Sequence, residues 1–243
     1  MTFTSNDLIT TLHREITNHN GAAGSVTVNL LGVQHNVTGR DAIGHLIQEW
    51  LFTWCATYGF PIIPNPNSQA FPDFFIDTVG NENGQLEIKN FYSHATPAFD
   101  VADAYAFIEQ LPLNIHKLYA DFLVFSYDLN GAGQLSITNA NLYKIWEVMG
   151  PSASNHVGCQ IRGKNCIVDN RQALSPTNLD TTGRIQKFRP CNIRAQGNSF
   201  ANASVFLDAV YRLIMGNHDT ARSFPNWREQ VAQAHQAKYG HRI

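Results

Sequence analysis

The spacing of apolar residues along the chain changes several times, and each change marks an element. From Thr38 onward, Ile43, Leu46, Ile47, Trp50, Leu51 and Trp54 follow the three-and-four spacing of a helix with one buried face. Gly59 and the Pro-rich stretch PIIPNPNSQAF end that helix. A first helix is expected up to about Asn18, with Ser5, Asn6 or Asp7 as its cap. NGAAG then reads as a turn, and the alternation in SVTVNLLGVQHNV (Ser25–Val37) predicts a short hairpin.

Two apolar runs follow, Phe71–Val79 and Gln85–Phe91, joined by GNENG, whose Gly and Asn residues suit a reversal of direction. They predict a second hairpin. Phe99–Leu111 predicts a helix, and YADFLVFSYD (Tyr119–Asp128) is apolar and aromatic enough for a central strand. LNGAGQ turns that strand back into Leu135–Ile137, and Leu142–Val148 reads as a short helix or strand. Gly158–Asn192 is expected to be loop-rich with short strands, and two helices, about Phe200–Met215 and Pro225–Tyr239, close the chain. Strands flanked by helices at both ends predict an α/β (α+β) fold with a mixed central β-sheet.

At 243 residues, 44% of them apolar, the chain can bury a sizeable core. It contains no internal repeat and no run near the roughly twenty apolar residues of a membrane span. The opening MTFTSNDLITTLHREI lacks the basic-then-apolar order of a signal peptide, so the expected location is the cytoplasm, away from membranes. The cysteines Cys55, Cys159, Cys166 and Cys191 form no CxxC pair and are expected to be reduced and mostly buried. His156, Cys159, Cys166 and Cys191 could instead gather around zinc, at spacings that match no familiar module.

Net charge is −2, but it is unevenly spread. Residues 1–110 carry three basic and eleven acidic side chains. Residues 160–200 carry seven basic ones, Arg162, Lys164, Arg171, Arg184, Lys187, Arg189 and Arg194, against Asp169 and Asp180. Such a division suits a metal site beside a polyanion-binding surface, and equally an unevenly charged solvated loop.

The chemistry concentrates in the second hairpin, Pro72-Asp73-Phe74-Phe75-Ile76-Asp77 and then Leu86-Glu87-Ile88-Lys89-Asn90. Alternation puts Glu87 and Lys89 on one face of their strand, and Asp73, Phe75 and Asp77 on one face of the other. Two carboxylates beside a lysine are what phosphodiester hydrolysis needs. The carboxylates hold Mg²⁺ against an anionic substrate, and the lysine orients water and offsets developing charge. The backbone carbonyl of Ile88 supplies a further oxygen ligand. A reversal centred near Glu82 would set Asp77 rather than Asp73 opposite Glu87, so Asp73 would need a bent or bulged strand to reach the metal. Glu49 on the preceding helix could add a ligand or be simply solvated, and His94 in FYSHATP could touch a phosphate or be a plain loop residue.

Pro72-Asp73, a gap, then Glu87-Ile88-Lys89, with a Trp-rich helix before and a helix and central strand after, resembles the PD-(D/E)xK nuclease superfamily. LYKIWEVMGPS and the basic segment ending KFRPCNIR are similar to passages of type II restriction endonucleases, and the length of the chain resembles the NlaIV/NgoBV group, whose members cut GGNNCC. The resemblance implies one restriction-endonuclease-like domain over residues 1–243, with a catalytic core at about 38–150, a basic DNA-binding segment at about 156–195 and closing helices at 200–239. It also implies Asp73, Glu87 and Lys89 as catalytic residues, with Asp73, Glu87 and the Ile88 carbonyl on Mg²⁺.

Double-stranded DNA is the implied substrate. Lys164, Arg171, Arg184, Lys187, Arg189 and Arg194 are its expected contacts, because Arg and Lys can engage guanine's two major-groove acceptors. A palindromic target implies a homodimer, each subunit cutting one strand, and a cognate methyltransferase acting on the same site. A repair or mobile-element nuclease, or a DNA-binding module with a decayed site, are the alternative readings.

Overall fold

The computed structural model describes residues 3–19, 23–153, 155–163 and 183–243, with the backbone alone at Arg162, Gly163, Gly183 and Arg184. In chain order its elements are α1 (Ser5–Asn18), β1 (Ala23–Ser25), β2 (Thr27–Leu30), β3 (Val33–Asn36), α2 (Ile43–Thr57), β4 (Ile62–Pro64), β5 (Phe74–Ile76) and β6 (Gln85–Tyr92). Then come β7 (Ala102–Asp103), α3 (Ala104–Gln110), a 3-10 turn (Ile115–Tyr119), β8 (Asp121–Leu129), β9 (Gln134–Tyr143) and α4 (Ile145–Val148). The chain ends with β10 (Cys159–Gly163), β11 (Gly183–Phe188), α5 (Ala203–Met215), α6 (His218–Ser223) and α7 (Trp227–Tyr239). This is the mixed α+β architecture expected. No helix among the described residues is long and apolar enough to cross a membrane.

The elements form two compact units, the first being residues 1–97 with 120–143. It is built on a six-stranded sheet in the order β1-β9-β8-β6-β5-β4, with β6 and β8 parallel and the other neighbours antiparallel. One face of the sheet is apolar: Phe74, Ile76, Leu86, Ile88, Leu123, Phe125 and Tyr127 join Leu8 and Leu12 of α1 and Ile43, Ile47, Leu51 and Cys55 of α2 in a continuous core. Burying several such side chains, each worth about 1.5–3 kcal/mol, holds both helices on that face. Helix α2 starts at Ile43 rather than Thr38, and Trp50 is partly exposed. The first helix is capped by Thr4, one residue before the expected candidates, in a reciprocal box with Asp7.

The β2–β3 hairpin turns through Leu31 (φ 52°) and Gly32 (φ 77°), the two positive-φ positions of a two-residue reversal. Leu31 is fully exposed there, although a branched side chain disfavours the left-handed region. Leu31→Asn is expected to stabilise the hairpin by about 1 kcal/mol. Amide exchange in residues 27–36 should then slow by roughly five-fold, and unchanged or faster exchange would contradict this account of the turn.

The second unit comprises residues 98–119 and 144–243. Its sheet is antiparallel in the order β10-β11-β7, with a bulge where the register shifts between Gln160 and Ile161. The helix expected from Phe99 begins only at Ala104, because Ala102 and Asp103 pair with β11 and the Asp103 side chain caps the first turn at Ala106 N–H (2.8 Å). Phe188 of β11, Phe107 of α3 and Phe206 of α5 pack mutually with ring centroids 5.5–6.3 Å apart. Trp227 is completely buried and donates its indole N–H to the Ile108 carbonyl (2.7 Å). His235 is equally buried, with Tyr119 OH and the His241 carbonyl at its two ring nitrogens (2.6 and 2.7 Å).

Candidate active site

Strand β6 supplies Glu87, Ile88 and Lys89, and Asp73 lies immediately before β5. The observed pairing is Phe74 with Leu86 and Phe75 with Gln85, which continues to set Asp73 directly across from Glu87. This register differs from the one expected of a reversal centred near Glu82. Residues 77–84 form a self-bonded loop in which the Asn81 side chain holds the Ile76 carbonyl (2.7 Å) and Asn81 N–H reaches Thr78 (3.1 Å). Asp73 therefore needs no bulge to meet Glu87. Asp77 turns out of the strand at φ 70°, its N–H on the Pro61 carbonyl (2.7 Å).

Hydrogen bonds lock the cluster. The backbone N–H of Asp73 donates to Glu87 Oε2 (3.2 Å), and Ile88 N–H donates to Asp73 Oδ2 (2.7 Å). Lys89 Nζ donates to Glu87 Oε1 at 2.8 Å. The Asp73 carboxylate thus occupies the place a neighbouring strand's carbonyl would take, where β5 and β6 part. Glu87 is only 8% exposed. Burial pushes its carboxyl up to about 7, with Asp73 adding to the rise and Lys89 opposing it. A carboxylate placed so is short of positive charge.

The donor set fits a hard divalent cation. Two carboxylates from facing strands and the nearby main-chain carbonyl of Ile88 are all oxygen donors, and Mg²⁺ is commonly held by one or two carboxylates with water completing its shell. Among the described residues no group of three or more His, Cys, Asp or Glu is placed to hold a metal, so the pair Asp73 and Glu87 is the acidic component at this position. Cys55, Cys159 and Cys191 are free thiols, with burial raising Cys55 and Cys159 to about 12. Cys166 lies outside the described residues.

Comparison with known proteins decides the family. The sequence profile of the NgoBV restriction endonuclease family matches residues 2–243. The chain belongs to the NgoBV restriction endonuclease family. It is 25% identical over 229 residues to the type II restriction enzyme NlaIV of Neisseria lactamica, covering 91% of this chain and 85% of that one. It is 29% identical over 130 residues to the type II restriction enzyme NgoBV of Neisseria gonorrhoeae, covering 52% of this chain and 72% of that one. The solved NlaIV restriction endonuclease has the same fold, with a TM-score of 0.84 at 23% identity over all of this chain and 92% of that one. The expected class, type II restriction endonuclease, and the restriction-endonuclease-like fold are both borne out.

The other residues singled out in this family member fall as follows. Glu49 is exposed and pairs with His45 (3.1 Å). His94 packs on the Tyr92 ring at 5.2 Å and lies 3.6 Å from Asp128. In the second unit Lys187 and Arg189 both pair with Asp100, and Arg189 also donates to the Ala98 carbonyl (3.2 Å) and to Gln160 (3.3 Å). Arg184 lies on β11 and pairs in register with Arg162 of β10. Arg194 follows β11, and Lys164 and Arg171 lie outside the described residues. The sequence reading missed the ties of Lys187 and Arg189 to Asp100, which lies far earlier in the chain.

Proposed function

We propose that the chain is a Mg²⁺-dependent PD-(D/E)xK endonuclease that hydrolyses double-stranded DNA at a short palindromic site of the GGNNCC type. The observation that carries the mechanism is the bonded cluster of Asp73, Glu87 and Lys89 around the Ile88 backbone. Asp73, Glu87 and the Ile88 carbonyl would hold the cation. A bound divalent cation supplies Lewis acidity toward the scissile phosphate and a neighbouring water.

The protein's own groups do the rest. Ile88 N–H fixes one Asp73 oxygen and Asp73 N–H fixes one of Glu87, so both carboxylates are held before substrate arrives. Lys89 holds its ammonium against Glu87, where it orients the attacking water and offsets charge growing on the phosphoryl oxygens. A palindromic target is served by two copies related by a two-fold axis, each cutting one strand. The enzyme would act in the cytoplasm, opposite a methyltransferase that protects the same site. Sequencing the ends of digested DNA tests the target: a common GGNNCC at every end supports it, and a different or variable sequence rejects it.

Lys164, Arg171, Arg184, Lys187, Arg189 and Arg194 are the proposed DNA contacts. Single Ala replacements of Arg184, Lys187, Arg189 and Arg194 should weaken binding unequally. A phosphate contact lowers affinity on every duplex and flattens the salt dependence by about one released counterion. A guanine contact lowers it by roughly 1–3 kcal/mol on the cognate duplex alone. At least one of the four should behave in the second way when titrated against cognate and scrambled duplexes at two salt concentrations. Wild-type affinity in all four would move recognition to another part of the chain.

A further inference from the structure

Gln85 begins β6 and is only 5% exposed, yet its side-chain oxygen has no hydrogen-bond partner. A buried oxygen left so is costly, because it has given up its hydrogen bonds to water without replacement. Its position in the sheet gives that oxygen a use. Gln85 lies two residues before Glu87 and four before Lys89, so alternation puts all three on one face of the strand. The same face carries Phe75, which pairs with Gln85, and Phe122, which pairs with Glu87. The opposite face holds Leu86 and Ile88 in the apolar core with α1 and α2.

Gln85 is thus an amide set among aromatic side chains beside the proposed catalytic centre. Phe75 offers it no donor, and an ionised Glu87 is itself an acceptor. Lys89, on the same face, turns its ammonium to Glu87 Oε1 and not to Gln85, so a water that enters the site and brings an O–H is the donor that can satisfy it.

We propose that Gln85 is a positioning residue of the catalytic centre, its side-chain oxygen accepting a hydrogen bond from a water held beside Glu87 in the cation-loaded enzyme. The inference rests on the reading of Asp73, Glu87 and Lys89 given above. Outer partners of this kind orient the groups around a cation, and losing one typically weakens cation affinity or activity by about 10–100-fold. Leaving the oxygen unpaired in the free protein leaves an acceptor ready for that water.

Replacing Gln85 separates this role from packing. Gln85→Met and Gln85→Leu keep the bulk but remove the acceptor, and Gln85→Glu keeps an oxygen at the same reach. Three quantities are read: the Tm of cation-free protein, the Mg²⁺ concentration that half-saturates the rise in Tm, and single-turnover cleavage of a cognate duplex. The Met and Leu variants should match or exceed the wild-type Tm without cation, because an unpaired buried oxygen has been removed. They should need about ten-fold more Mg²⁺ or beyond, and cleave more slowly by a comparable factor. The Glu variant should bind Mg²⁺ at least as tightly as the wild type.

A wild-type Mg²⁺ response in the Met and Leu variants overturns the proposal. So does a weakened response accompanied by a lowered Tm in both, which would assign Gln85 to packing, and so does a Glu variant as defective as Met. Lys89→Ala is run alongside: if it still cleaves, the reading of the site has failed, whereas an inactive Lys89→Ala beside an unaffected Gln85→Met rejects Gln85 alone.

Discussion

Lys89→Ala is expected to lower single-turnover cleavage by about 10³-fold while binding cognate DNA within about two-fold of the wild type. The ammonium lies 2.8 Å from Glu87 Oε1 and opposes the rise that burial imposes on that carboxyl. On the proposed mechanism its loss removes the group that would orient water, and it also makes Glu87 harder to keep ionised. Both effects fall on the reacting centre. The fold should tolerate the change, because a buried carboxyl deprived of its cation can take up a proton. Near wild-type cleavage would remove Lys89 from the catalytic set, and loss of binding in step with cleavage would give it a role in holding DNA.

Asp73→Asn should be as damaging, at about 10³-fold, whereas Asp77→Asn should stay within about three-fold in the same single-turnover assay. Asn retains an oxygen that can accept the Ile88 N–H held at 2.7 Å, so the first substitution removes charge and leaves the scaffold in place. At Asp77 the backbone is left-handed with φ 70°, a conformation Asn adopts readily, and its N–H bond to Pro61 needs no carboxylate. The converse result, an active Asp73→Asn and an inactive Asp77→Asn, would move the site four residues along the chain and out of the register that β5 and β6 display. Unlike Asp73, Glu87 is too buried for truncation to be a clean probe, so Glu87→Gln is preferred to Ala as the third variant.

Local patterns carried much of this. The apolar period of α2 and the density of YADFLVFSYD identified a core helix and a central strand, and β8 does lie between β9 and β6. The spacing of Asp73 to Glu87 and Lys89 singled out residues that the sheet brings within hydrogen-bond distance of one another. Register was harder, because it depends on how residues 77–84 bond among themselves. The Asn81 side chain takes the Ile76 carbonyl, and Gly84 packs so closely on Ile76 that a Cβ there would meet its backbone oxygen at 3.0 Å. A count of turn residues cannot see either contact. Asp103 was likewise hidden inside an apolar run that reads as helix, until pairing with Lys187 on β11 made it a strand end and a cap. Gln85 looks from sequence like an ordinary strand residue; the available signal was its place two positions before Glu87 on the same alternating face.

Digestion of a supercoiled plasmid bearing several GGNNCC sites tests the central claim most directly, with wild-type protein and Glu87→Gln compared in Mg²⁺ and in excess chelator. The account expects discrete fragments from the wild type in Mg²⁺ alone, and intact plasmid in chelator and with Glu87→Gln. A smear, fragments formed in chelator, or wild-type fragments from Glu87→Gln would contradict it.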